Sequence, residues 1–238
     1  TTSGTAAFNL ELKDIIEEAF ERCGAELRTG YDLRTARRSM NLLFADWANR
    51  GINLWTVEEG QISLVQGQET YNLPVDTVDL LEHVIRTDAG STSNQSDLTI
   101  SRISVSTYAT IPNKLTQGRP IQVWINRQSG AVTPTGANPP TINVWPTPDN
   151  AQPYTFVYWR LRRIQDAGVG GTATQDIPFR FLPCLTAGLS YYLALKIPDA
   201  LPRLQVLKDM YDEAWELAAG EDREKAPDRL VPRQMFIN

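Results

Sequence analysis

The sequence predicts an α+β protein: an antiparallel four-helix bundle formed by both chain ends, an inserted antiparallel β domain and an extended C-terminal tail. Three observations predict it. Over residues 9–24 and 32–50, apolar side chains recur three and four residues apart, the period of an amphipathic helix. From residue 52 to about 175 that period gives way to short alternating segments separated by Gly, Pro, Asn and Asp. Helical spacing then returns over 178–196 and 200–222. The expected domains are 1–51 with 176–224 as the helical part, 52–175 as the β part and 225–238 as the tail.

In the first helix Asn9 is placed to cap and Gly24 to stop. Leu12, Ile15, Ile16, Ala19, Phe20 and Cys23 share one face, and Glu11, Asp14, Glu17, Glu18 and Glu21 make the other face acidic. Asp32 is expected to cap the second helix and Gly51 to end it. Leu33, Ala36, Met40, Leu43, Phe44 and Trp47 form its stripe, while Arg34, Arg37, Arg38 and Arg50 make it basic. The third helix, 178–196, is apolar nearly all round, through Phe179, Phe181, Leu182, Leu185, Leu189 and Leu193. A helix without a polar face is central in its bundle. Its uncharged stretch, Phe181 to Leu195, is too short for a membrane span. The fourth helix, 200–222, has the stripe Leu204, Leu207, Tyr211, Ala214, Trp215 and Ala218, with Asp209, Asp212 and Glu216 among its acids.

In the middle, 52–57 and 61–65 are expected as strands around a hairpin turn at Glu58-Glu59-Gly60. Further strands are expected at 69–73, 80–87, 98–103, 121–127, 141–145 and 153–164, with a short helix near Ser104 to Thr110. Residues 88–97, 128–140 and 166–175 read as loops. The strand at 153–164 sends Phe156, Tyr158, Arg160 and Arg162 to one side, and Val157, Trp159, Leu161 and Arg163 to the other. Beyond Gly220, Pro227 and Pro232 end the helix and leave Leu230, Val231, Met235, Phe236 and Ile237 outside it. A tail with such anchors reads as a segment that orders on a partner.

Chemistry is sparse. A net charge of −5 argues for a soluble protein and against a general nucleic-acid binder. Thr1 to Ala7 has neither the basic start nor the apolar run of a secretory signal. Cys23 and Cys184 sit among apolar residues and read as free core thiols. His83 is the sole histidine, so no multi-histidine metal site can form, and a strand residue is its plain reading. Gly168-Val-Gly-Gly-Thr lacks the Gly-Lys-Ser/Thr ending of a phosphate loop. Glu58 and Glu59 are the one acidic pair near strand ends, and they fit a turn. Arg160, Arg162 and Arg163 form the densest basic cluster, without zinc-finger spacing or a basic heptad helix around it. No catalytic residue, metal ligand or cofactor is expected.

Several stretches, in order along the chain, carry a resemblance. They are Glu17-Glu-Ala-Phe-Glu-Arg-Cys-Gly24, the helix from Tyr31 to Gly51, Gly67-Gln-Glu-Thr-Tyr-Asn-Leu-Pro74 and Ile111-Pro-Asn-Lys114. Gly118-Arg-Pro120, Trp145-Pro-Thr-Pro-Asp149, Tyr158-Trp-Arg-Leu-Arg-Arg163 and Pro178-Phe-Arg-Phe-Leu-Pro183 follow. Together they resemble the head-to-tail adaptors of tailed phages, also called tail tubular protein A in short-tailed phages. The resemblance implies a virion protein of the head-to-tail junction, made in the host cytoplasm, with no enzymatic activity and no membrane. Such adaptors assemble with copies of themselves as a ring, typically of about twelve, as closed rotational contacts allow. The ring docks under the portal protein and receives the tail nozzle or the next connector. Double-stranded DNA passes through without specific binding.

On that reading, Glu11, Asp14, Glu18, Asp209, Asp212 and Glu216 are candidates for an acidic channel lining that repels the duplex. Leu230, Val231, Arg233, Met235, Phe236 and Ile237 are candidates for gripping the portal, and Arg160, Arg162 and Arg163 for an inter-subunit or tail-docking surface. The competing readings are a DNA-binding packaging or head-completion factor, and a hydrolase that uses Glu58, Glu59 or His83.

Overall fold

The computed structural model of the protein describes residues 2–28, 30–51, 54–128, 132–133, 136–169 and 172–223. Five α-helices lie among them: α1 (Leu12–Arg22), α2 (Gly30–Asn49), α3 (Val105–Ala109), α4 (Leu182–Ala194) and α5 (Leu204–Glu221). The chain divides into two compact units, one drawn from residues up to Leu43 and from Ala167 onward, the other being Phe44–Asp166. The division falls inside α2.

The helical unit is arranged around α4. Leu182, Cys184, Leu185, Ala187, Leu189 and Leu193 are all buried, and the helix packs against both α1 and α5. Helix α1 contributes the buried Leu12, Ile15, Ile16, Ala19 and Phe20, and α5 contributes Leu207, Tyr211 and Ala218. Gly188 lets the packing close: a Cβ there would stand 2.9 Å from Leu43 Cδ2 and from Tyr211 Cε2. Hydroxyls inside α4 turn back on their own helix, Thr186 donating to Leu182 O (3.0 Å) and Ser190 to Thr186 O (2.7 Å). Both cysteines are buried thiols, as expected. Cys23 Sγ donates to Ser190 O at 3.2 Å, and burial pushes its thiol up to about 11, out of the reactive range.

Helix starts differ from expectation. The Asn9 side chain accepts from its neighbour Leu10 N (2.9 Å), so α1 begins later, where Leu12 N donates to Ala173 O (2.8 Å). Helix α2 begins at Gly30, two residues before Asp32, whose carboxylate instead accepts from Arg28 N at 3.3 Å. Short 3-10 turns at Phe179–Phe181 and Pro198–Arg203 take up the expected first turns of α4 and α5, near Pro183 and Pro202. Gly24 does stop its helix, at φ +76°.

The other unit holds twelve strands among the described residues: β1 (Val57–Ser63), β2 (Thr70–Asn72), β3 (Thr77–Thr87), β4 (Ser96–Thr99), β5 (Ser101–Arg102), β6 (Gln117–Gly118), β7 (Gln122–Asn126), β8 (Val132–Thr133), β9 (Gly136–Ala137), β10 (Thr141–Trp145), β11 (Thr147–Pro148) and β12 (Tyr154–Arg162). Two four-stranded sheets, β1-β12-β3-β4 and β2-β10-β7-β5, are accompanied by the pairs β11-β6 and β8-β9. One core joins the large sheets: Leu80, Ile85, Tyr154, Phe156 and Tyr158 from the first, and Val123, Ile125, Ile142, Val144 and Tyr71 from the second. Helix α3 has the expected position, its cap Ser104 accepting from Thr107 N (3.2 Å).

The expected antiparallel four-helix bundle closing on an antiparallel β domain is therefore corrected to a mixed α+β chain. The described residues hold five helices, the expected short α3 among the strands, and α2 runs across the division between units. The strands form several sheets, and β5 with β7 and β6 with β11 pair in parallel. Two-residue pairings leave no periodicity to read, so their direction was invisible in the sequence. The expected C-terminal tail lies outside the described residues.

Glu58-Glu59-Gly60 is not a hairpin turn. The three residues run through the middle of β1, paired antiparallel with β12 from Val57↔Leu161 to Ser63↔Thr155. Gly60 sits opposite Tyr158, and a Cβ there would fall 2.7 Å from Tyr158 Cε2. The glycine marks a close approach rather than a reversal of the chain. Tyr158 is itself in the core, against Phe156, and has little room to yield. Gly60→Ala should therefore lower the unfolding free energy by about 1–3 kcal/mol in urea titration; an unchanged midpoint would show that the ring moves aside.

Candidate functional site

The basic end of β12 is a paired network. Arg160 Nη1 lies 2.6 Å from Asp76 Oδ1, and Arg160 Nη2 lies 2.8 Å from Glu58 Oε2. Arg160 also donates to Thr77 Oγ1 at 3.0 Å, and Arg162 Nε lies 2.6 Å from Glu58 Oε1. Alternation along β12 accounts for this, because Arg160 continues the face that buries Phe156 and Tyr158. Burial works against ionisation of Asp76, but the hydrogen bond and charge of Arg160 outweigh it and hold the carboxyl below its ordinary value. Arg160 is 9% exposed, so its charge is spent within the subunit. Arg163 differs: its side chain is 65% exposed, and the nearest carboxylate, Asp166, stands at 3.9 Å.

The expected acidic residues separate into two places. Asp14 and Glu18 line one side of an open groove of about 640 Å³, together with Glu17, Glu21, Phe8, Leu10, Phe179 and Leu182. Glu11 stands exposed just before α1, at its cap position. Asp209, Asp212 and Glu216 are exposed on α5, on the side opposite the buried Leu207, Tyr211 and Ala218. Between those faces α5 presents Val206, Met210 and Leu217 to water, at 60%, 44% and 70% exposure. Periodicity alone could have found this second apolar ridge, but the sequence pattern was assigned wholly to one stripe. Phe179 was expected inside the third helix; the 3-10 turn leaves it 77% exposed.

A recess on α2 gathers Arg34, Arg37, Arg38, Asn41 and Leu42. Arg37 donates to Ala167 O at 3.2 Å, while Arg34 and Arg38 are exposed. His83 stacks on Phe156 with ring centroids 5.9 Å apart, and burial lowers its pKa, favouring the neutral ring. Glu58 and Glu59 lie within β1, with Glu58 committed to Arg160 and Arg162. No group of three His, Cys, Asp or Glu side chains suited to a metal ion occurs among the described residues. No helix among them is long and apolar enough to cross a membrane. The expected portal-gripping residues Leu230, Val231, Arg233, Met235, Phe236 and Ile237 lie outside the described residues.

The Arg160 network makes a stability prediction. Arg160→Ala removes the arginine partner of Asp76 and one of the two arginine partners of Glu58, which keeps Arg162. Because the Glu58 and Asp76 side chains are 43% and 44% exposed, the loss should be near 2 kcal/mol, below the about 3–5 kcal/mol of a fully buried pair. Asp76 is lowered in the folded state, so its contribution is present at neutral pH and lost as pH falls through its folded value. The difference between variant and wild type, measured by denaturant unfolding, should thus shrink below pH 3.8, its ordinary value. A pH-independent difference would contradict this account.

A family model described as SU10 adaptor protein matches residues 11–233, nearly the whole chain. No curated protein matches it. The chain belongs to the SU10 adaptor protein family, a phage head-to-tail adaptor family, and is a structural phage protein and a component of the virion that meets other head and tail proteins.

Proposed function

We propose that this chain is one subunit of a ring that docks under the portal, connects it to the tail nozzle or next connector, and forms part of the DNA exit channel. The observation that carries the ring is the second apolar face of α5. A helix that already buries Leu207, Tyr211 and Ala218 also holds Val206, Met210 and Leu217 in water. An exposed apolar ridge of this kind is a docking surface. A ring closes by repeating one heterologous contact, ridge of one copy against a different face of the next.

The acidic side of α5, with Asp209, Asp212 and Glu216, suits the channel wall, as do Glu11, Asp14 and Glu18 at α1. A conduit must not neutralise phosphates, since each neutralised phosphate tightens and salt-sensitises binding. Of Arg160, Arg162 and Arg163, it is Arg163, just beyond β12, that has an exposed charge to offer a neighbouring subunit or tail protein. Leu230, Val231, Arg233, Met235, Phe236 and Ile237 supply the anchors that grip the portal. The DNA-binding alternative has one observation in its favour, the exposed Arg34 and Arg38 in their recess.

Docking to the portal of the same phage, followed by assembled mass, separates these roles. Met210→Glu with Leu217→Glu should leave a folded chain that no longer forms rings. Deleting residues 225–238 should abolish portal docking while the helical unit stays folded. Normal rings from the first variant or normal docking by the second would contradict the assignment. Duplex DNA held at physiological salt and released by Arg34→Glu with Arg38→Glu would favour the alternative.

A further inference from the structure

The groove beside α1 is built like a receptor, and the chain delivers a ligand to its edge. Phe8 and Phe179 stand 75% and 77% exposed at its lips, with Leu10 and Leu182 between them. Asp14, Glu17, Glu18 and Glu21 line it with Arg22; Glu18 is paired with Arg22 (2.8 Å) and Glu17 with Lys13 (3.3 Å), so the line keeps an excess of negative charge at Asp14 and Glu21. Helix α5 ends at Glu221, and the next residue, Asp222, is buried and ion-paired to Arg180. Arg180 follows Phe179 directly. The chain therefore leaves the helical unit beside the groove.

What leaves there matches what the groove offers. Residues 229–238 contain Leu230, Val231, Met235, Phe236 and Ile237, two arginines, Arg229 and Arg233, and no acidic side chain. From residue 224 onward the chain can span up to about 50 Å when extended, at roughly 3.3 Å per residue. Reach is not limiting, and the charges are complementary.

We propose that this groove is the seat of the chain's own C-terminal segment, apolar anchors against Phe8, Phe179 and Leu182, arginines against the α1 carboxylates. The seat itself does not depend on the portal reading. If that reading holds, the tail is kept covered until a partner draws it out, and docking exchanges one apolar seat for another.

Hydrogen exchange on the full chain, without portal and at a concentration where its mass is monomeric, tests the seat. Joint substitution Met235→Ser, Phe236→Ser and Ile237→Ser should speed exchange of amides 8–14 and 179–182 by about tenfold. Phe179→Ser, at an exposed position, should do the same without loss of the fold. Asp14→Lys with Glu21→Lys should also loosen the seat, and adding Arg229→Glu with Arg233→Glu should restore protection. Exchange at these amides that ignores the tail substitutions would overturn the proposal. So would a tail effect that appears only above the monomeric concentration range, which would assign the groove to a second copy's tail. Because no portal is present, either failure leaves the docking reading standing.

Discussion

Helix α4 is buried along most of its length, with Pro183 exposed and Tyr191 and Tyr192 half-buried. Leu182, Leu185, Leu189 and Leu193 are buried along it, and so are its small and hydroxyl residues Ala187, Gly188, Thr186 and Ser190. Hydrophobic burial is non-directional and proportional to area, so such a helix gathers whatever apolar stripes the chain can bring. It gathers α1 from the start of the chain and α5 from the end. Gly188 admits Leu43 and Tyr211 to the same stretch. Helices from before and after the β unit are brought together for this reason.

The β unit has a counterpart constraint at its basic end. Strand β12 lies between β1 and β3, so its inward face must be apolar or internally paired. Phe156 and Tyr158 meet the first condition and Arg160 the second. Glu58 and Asp76 close the charge, and Gly60 makes room for Tyr158 on the same pairing. What looks from outside like an arginine-rich interface is largely an internal clamp, with Arg163 left outside it.

Long periodic segments were legible. The stripes of α1, α4 and α5 were read from spacing, and β10 was placed at its observed bounds. At Glu58 to Gly60 and at Asn9 a tertiary contact overrides the local rule. Glu-Glu-Gly resembles a turn until Tyr158 is placed over the glycine. Asn9 resembles a cap until Ala173 takes the amide of Leu12. The groove was not legible, because it joins residues 8–22 to 179–186, and the sequence pattern had assigned Phe179 to a core. The outer ridge of α5 was legible in principle, since Val206, Met210 and Leu217 follow helical spacing, but a helix with two apolar faces is an uncommon expectation for a subunit read alone.

A structural adaptor should show this division: one apolar face spent on its own fold, another held for neighbours, and charge either paired inside or turned to solvent. Electron microscopy of the full chain, alone and mixed with the portal of the same phage, tests that account most directly. The account predicts a closed ring of this chain coaxial with the portal in the mixture. A portal that remains bare at saturating chain, with the chain instead retained on duplex DNA at physiological salt, would contradict it.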